Sequence, residues 1–153
     1  MADGITIGID PGQKGAIAFL GNDFLHVDQM PEDKGAVLSC LIAWTKRAVI
    51  EHAWIEDVTP FGMGRTSAFT FGRGIGMIEM ALMSCGIPLS RVTAARWKRS
   101  LGCPKDKGEA ICRASELLPT YAEWWTITGR ESKDKAAGRA EAAMIALYGT
   151  RQR

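Results

Sequence analysis

Metal-binding patterns of thiol and imidazole are missing from this sequence. The only histidines, His26 and His52, are isolated, and the cysteines Cys40, Cys85, Cys103 and Cys112 contain no C-x-x-C pair. That argues against a zinc site and leaves reduced, mostly buried thiols as the expectation. There is no basic-plus-apolar leader, and no apolar run is long enough to cross a bilayer, so a cytoplasmic protein is expected. A strong charge imbalance is missing too. Nineteen Lys and Arg against 17 Asp and Glu leave a formal +2, which by itself does not announce nucleic acid. No internal repeat, linker or low-complexity tract divides the chain. Its 153 residues, 46% of them hydrophobic, suit one domain, 1–153, around one core. No Ser-His-Asp set or activated cysteine offers itself as a nucleophile.

The apolar patterning is strong by contrast. Residues 5–10 read as a buried strand, 16–20 as a second and 24–28 as a third, with turns at Pro11–Gly15 and Gly21–Asp23. These spacings predict an antiparallel meander. Residues 33–49 predict a helix with Val37, Leu38, Leu41, Ile42 and Val49 on its apolar stripe. It is long enough to cross over to a strand at 53–58 parallel to the first. A loop at 59–66 leads to a helix at 67–85, stopped by Gly86-Ile87-Pro88. A strand at 89–92, helices at 94–101 and about 107–118, an irregular aromatic stretch at 119–133 and a helix from about 135 to 148, ended by Gly149, complete the prediction. The class is α/β, a mixed sheet with helices on its faces.

Within this pattern the acidic residues stand out. Asp10 ends the first strand, Glu56 ends the strand Ala53-Trp54-Ile55, and Glu141 opens the stretch Glu141–Leu147. Carboxylates at the ends of buried strands are costly unless something holds them. Three such positions, far apart in sequence, suggest one shared cation and phosphodiester chemistry. Asp134 lies seven residues before Glu141, near two helical periods, and shares its face if the helix reaches back that far. Other readings stand beside these. Asp10 suits a turn before Pro-Gly, Glu56 could pair with a basic residue, Glu141 suits a first helical turn, and Asp134 lies between Lys133 and Lys135. Asp57 should point away from Glu56.

The ordered motifs resemble the RuvC family of Holliday junction resolvases, particularly its short phage versions. Ile7-Gly8-Ile9-Asp10-Pro11-Gly12 is similar to the family's first-strand motif, and Ile55-Glu56-Asp57-Val58 to the strand carrying its glutamate. Phe69 through Glu79, Ile87-Pro88 through Thr93 with Trp97-Lys98, and Gly138-Arg139-Ala140-Glu141-Ala142 follow in the family's order. The resemblance implies a ribonuclease-H-like fold and a crossover junction endodeoxyribonuclease working in a bacterial or phage-infected cytoplasm. It implies branched DNA as partner, a homodimer, and two Mg²⁺ (or Mn²⁺) ions about 4 Å apart held by Asp10, Glu56, Glu141 and Asp134. Where the family has a second acid one turn before Glu141, this chain has Gly138.

Lys14, in the first turn, could neutralise phosphate charge. Arg65, Arg73, Lys98, Arg99, Lys105 and Lys107 could track DNA phosphates, or simply be solvated. In the resembling family the loop Thr59–Gly64 reaches into the junction, and Phe61 or Met63 could wedge between bases. A loop residue tucked onto the surface is the plainer reading of Phe61. Of Phe69 and Phe71, two apart on a helix, at least one should be core. Met77, Ile78, Ala81 and Leu82 form a packing stripe, in the core or at a dimer interface, and Trp124-Trp125 should cover the core. Two further readings of function remain open. One is a non-catalytic binder of branched DNA, suggested by Gly138. The other is an actin-like ATP phosphotransferase, suggested by Ile9-Asp10-Pro11-Gly12 but short of a second lobe and a later glycine-rich loop.

Overall fold

The computed structural model describes residues 4–152. Alternating aliphatic residues build an antiparallel meander of β1 (Ile5–Asp10), β2 (Ala16–Leu20) and β3 (Leu25–Gln29). Helix α1 (Gly35–Thr45) crosses over to β4 (Ile50–Asp57), which pairs parallel with β1. Helix α2 (Arg65–Ser84) crosses over to β5 (Leu89–Thr93), parallel to β4. Among the described residues the sheet has the order β3-β2-β1-β4-β5. Then follow α3 (Ala94–Leu101), α4 (Lys107–Leu117), a 3-10 helix (Pro119–Trp125) and α5 (Lys133–Thr150). None of these helices is long and apolar enough to cross a membrane.

The period-two geometry of strands divides the core in two. Ile5, Ile7 and Ile9 of β1, with Ile17, Phe19, Ala53 and Ile55, pack against Val37 and Leu41 of α1 and Ile78 and Leu82 of α2. Each such buried aliphatic side chain stabilises the fold by about 1.5–3 kcal/mol. The opposite face, with Ala16, Ala18, Val27 and Val92, packs against α3, α4 and α5. Helix α5 is the central piece of that layer. Its alanines and glycine at 136–138, 140, 142–143 and 146 are buried, and they let the helix lie almost on the sheet backbone. A Cβ at Gly8 would fall 2.1 Å from the Ala142 carbonyl oxygen. Any side chain at position 8 would therefore push α5 off β1.

Several boundaries differ from expectation. The third strand runs one residue later, at 25–29. Helix α1 stops at Thr45, and Val49 is exposed rather than on the apolar stripe. Strand β4 starts three residues earlier, because Ile50 and His52 pair with the beginning of β1. Their polar neighbour Glu51 hid that extension from a hydrophobicity reading. The aromatic stretch contains the 3-10 helix, and α5 begins at Lys133. Gly149 does not end α5 but lies inside it, where a Cβ would meet the Trp54 ring at 2.3 Å. Phe69 is exposed and Phe71 half-buried, so neither is core. Of the four thiols only Cys103 is buried, Cys112 is exposed, and all are free. Trp125 is buried and hydrogen-bonds the Ser115 hydroxyl, with Trp124 packed beside it.

Candidate active site

Strand register brings the first two carboxylates together. Ile9 stands beside Ile55 in the parallel β1–β4 pair, so Asp10 and Glu56 follow side by side where both strands end. Strand alternation turns both toward the α5 layer, as it does Gly8. The close approach of α5 at Gly8 sets Ala142 over β1, and Glu141 precedes it on that helix. Asp57 is exposed and lies on the other face, near Arg91.

Each carboxylate has a distinct partner. Asp10 accepts a hydrogen bond from the Gly12 backbone N–H at 3.2 Å, in the turn that Pro11-Gly12 forms. Glu56 accepts one from the indole N–H of Trp97 at 2.7 Å. Glu141 accepts one from the Lys98 ammonium at 2.8 Å, with both side chains only 17% exposed. Burial, reinforced by the negative charges of Glu56 and Glu141, pushes the Asp10 carboxyl up to about 7. Burial also raises Glu56, partly offset by the Trp97 hydrogen bond. Burial opposes the charge on Lys98, but its bond to Glu141 and that carboxylate's charge outweigh it, and its pKa lies above the ordinary value.

Asp134 sits in a different environment. It lies in the first turn of α5, where Lys14 reaches it at 3.1 Å and Lys107 at 2.5 Å. These two hydrogen bonds, Lys107's first, hold its carboxyl below the usual range. The structure thus brings Asp10, Glu56 and Glu141 into one electrostatic cluster and engages Asp134 with two lysines beside it. Gly138, one turn before Glu141, is packed against the β1–β2 turn. A Cβ there would lie 2.1 Å from the Lys14 carbonyl oxygen.

The expected DNA-contacting residues spread around this end of the sheet. Phe61 is 95% exposed at the tip of the β4–α2 loop, with Met63 and Gly64 following it. Arg65, Arg73, Arg99 and Lys105 are exposed. Arg73 lies 5.8 Å from the Phe69 ring centroid. Lys98 differs from these, because it is turned into the acidic cluster. A groove of about 1010 Å³ lies between the β1–β2 turn and α2, lined by Pro11, Lys14, Lys34, Thr66, Phe71 and Arg73 among others but by none of the three carboxylates.

No family model and no curated protein matches the chain by sequence. Solved structures do match in three dimensions. Thermus thermophilus RuvC in complex with a Holliday junction substrate has a TM-score of 0.66 at 15% identity, with 97% of this chain and 96% of that one covered. A second Thermus thermophilus RuvC structure has 0.62 at 17%, with the same coverage. The fold is that of RuvC. The yeast mitochondrial Holliday junction resolvase shares it as well, at a TM-score of 0.58 and 15% identity, with 98% of this chain and 79% of that chain covered. The RuvC fold is the ribonuclease-H-like mixed sheet expected from the motifs, meander and parallel strands included.

Trp97 is the residue that sequence reading passed over. It entered only as part of a motif, yet its N–H holds Glu56 from inside the core. A buried indole needs an acceptor for its N–H, and that rule, applied to a tryptophan next to Lys98, is the signal that points to it.

Proposed function

We propose that this chain is a divalent-metal-dependent endonuclease that nicks branched DNA and resolves four-way junctions. One observation carries the reading. Asp10 and Glu56, at neighbouring strand ends of a RuvC-like fold, face Glu141 of α5, and burial, reinforced by the charges of Glu56 and Glu141, raises the Asp10 carboxyl to about 7.

Among the described residues, no group of three His, Cys, Asp or Glu side chains is arranged to hold an ion as it stands. Glu56 is turned to Trp97 and Glu141 to Lys98. The donor set still fits a hard cation. All three donors are carboxylates, and their mutual repulsion is the load that a divalent charge relieves. Asp10, Glu56 and Glu141 would hold Mg²⁺ or Mn²⁺, two ions in the full reading. When bound, the ions would supply an activated water and charge stabilisation at the phosphate and the leaving oxygen. Asp134 joins the ligand set only by leaving Lys14 and Lys107.

The chain's own residues then position the strand. Lys14, four residues past Asp10, lines the groove and would neutralise phosphate charge on leaving Asp134. Arg65, Arg73, Arg99, Lys105 and Lys107 supply further sequence-independent contacts. Phe61, nearly fully exposed on its loop, suits insertion at an opened step, with Met63 behind it. A second copy of the chain is the proposed occupant of the exposed face of α2, where Phe69, Met77, Met80 and Met83 lie open. Two-fold symmetry would set two sites across one junction.

A labelled four-way junction incubated with Mg²⁺ or Mn²⁺ tests the reading. Paired nicks near the crossover support it. A mobility shift without nicks would favour the non-catalytic junction binder, for which the blocked position at Gly138 speaks. Light scattering of the free protein tests the dimer, and a monomer at micromolar concentration would remove it.

A further inference from the structure

Two consecutive residues of α3 hold the two outer carboxylates of the site. Trp97 is fully buried and donates to Glu56 at 2.7 Å, while Lys98 donates to Glu141 at 2.8 Å. Thr93, the last residue of β5, caps α3 by accepting a hydrogen bond from the Arg96 N–H. Strand β5 in turn pairs with β4 so that Val92 lies beside Glu56. The helix is thus fixed to the strand that carries one of the carboxylates it holds. Its amphipathic turn buries Trp97 and Leu101. Lys98 is thereby directed into the acidic cluster, its ammonium 5.2 Å from the Trp97 ring centroid.

We infer that α3 is a positioning helix with two opposed effects on metal binding: Trp97 orients Glu56 for the ion, and Lys98 occupies Glu141 as a counter-cation that the ion must displace. The inference rests on the nuclease reading. An indole N–H on one carboxylate oxygen leaves the other oxygen free and fixes its direction, the usual work of groups that support metal ligands. The ammonium acts differently. It neutralises part of a cluster of three carboxylates, and a divalent ion entering near Glu141 meets like charge until Lys98 swings out. Neither residue need touch DNA for these effects, so both are readable without substrate.

The test is Mn²⁺ titration by calorimetry on the full chain without DNA, with Asp10→Asn as control. Trp97→Phe, which keeps a ring but removes the N–H, is expected to weaken Mn²⁺ binding by about tenfold. Lys98→Met is expected to tighten it severalfold. The opposite signs distinguish this from general damage, which would weaken both. Should Trp97→Phe fail to fold, a benzothienylalanine at that position keeps the bicyclic shape without the N–H. Thermal melts separate a stability loss from an affinity change. Wild-type binding that Asp10→Asn removes, with unchanged affinity in both α3 variants, would overturn this inference and leave the metal site standing. No Mn²⁺ binding by the wild type would overturn the metal reading, and the inference with it.

Discussion

Glu141 and Asp134 share one helix and one stripe of it, yet they live in different physical worlds. Glu141 sits mid-helix, 17% exposed, against Lys98 and across from Asp10 and Glu56. Asp134 sits in the first turn with its side chain 37% exposed, between two lysines that are more than half exposed. Solvent screens the second cluster, so its ion pairs contribute little to stability. Burial magnifies the first, where three carboxylates and one ammonium cannot spread their charge into water. A carboxylate's identity therefore says little about its role. The elements packed around it decide whether it is a crowded, buried acid or a surface clasp.

The largest expected effect breaks the comparison on catalysis. Asp10→Asn and Glu141→Gln should each lower junction cleavage by on the order of 10³-fold or more. Binding measured by fluorescence anisotropy in EDTA should stay close to wild type, because the proposed phosphate contacts lie elsewhere. Cleavage near the wild-type rate in either variant would remove the trio from the chemistry.

The blocked position between the two residues gives the next effect. Restoring an acid with Gly138→Asp should cost about 3 kcal/mol or more in urea unfolding, since its Cβ must displace the Lys14–Gly15 backbone. A stable variant with raised metal affinity would mean that the β1–β2 turn yields readily.

A pH series reads the strain in the buried cluster. The Asp10 carboxyl, ordinarily near 3.8, is raised to about 7 in the folded protein. The folded state therefore keeps this proton where the unfolded chain has lost it. This contribution is fully present below about pH 4 and is lost as pH rises to 7. In metal-free buffer the wild type should lose on the order of 4 kcal/mol across that window. Asp10→Asn should lose clearly less, and a parallel pair of curves would deny the strain.

The smallest effect belongs to the exposed clasp. Asp134→Asn should leave stability close to wild type, and the Mg²⁺ concentration for half-maximal cleavage should not move. A rightward shift of that titration would instead place Asp134 in the ligand set.

Much of this was legible in the residues. Period-two aliphatics marked β1 and β2, the spacing between turns marked the meander, and strand-end acids marked Asp10 and Glu56. Boundaries slipped where polar residues interrupt a real strand, as at Glu51, or where a glycine serves close packing rather than termination, as at Gly149. The exposure of Phe69 was illegible because none of the described elements covers it, and nothing local to the helix records that.

What the sequence alone determined is the list of elements and the placing of acids at their ends, because hydrophobic periodicity and turn chemistry act over a few residues. Tertiary structure decided the partners. Lys98 reads as one more surface cation in sequence and becomes the counter-charge of Glu141 only because β5 and α3 carry it beneath α5. Trp97 enters the sequence only as part of a motif and becomes the holder of Glu56. Asp134 reads as a fourth ligand and meets Lys14 and Lys107, residues 120 and 27 positions away. Charge and hydrogen bonding act through space, and sequence distance does not measure that space.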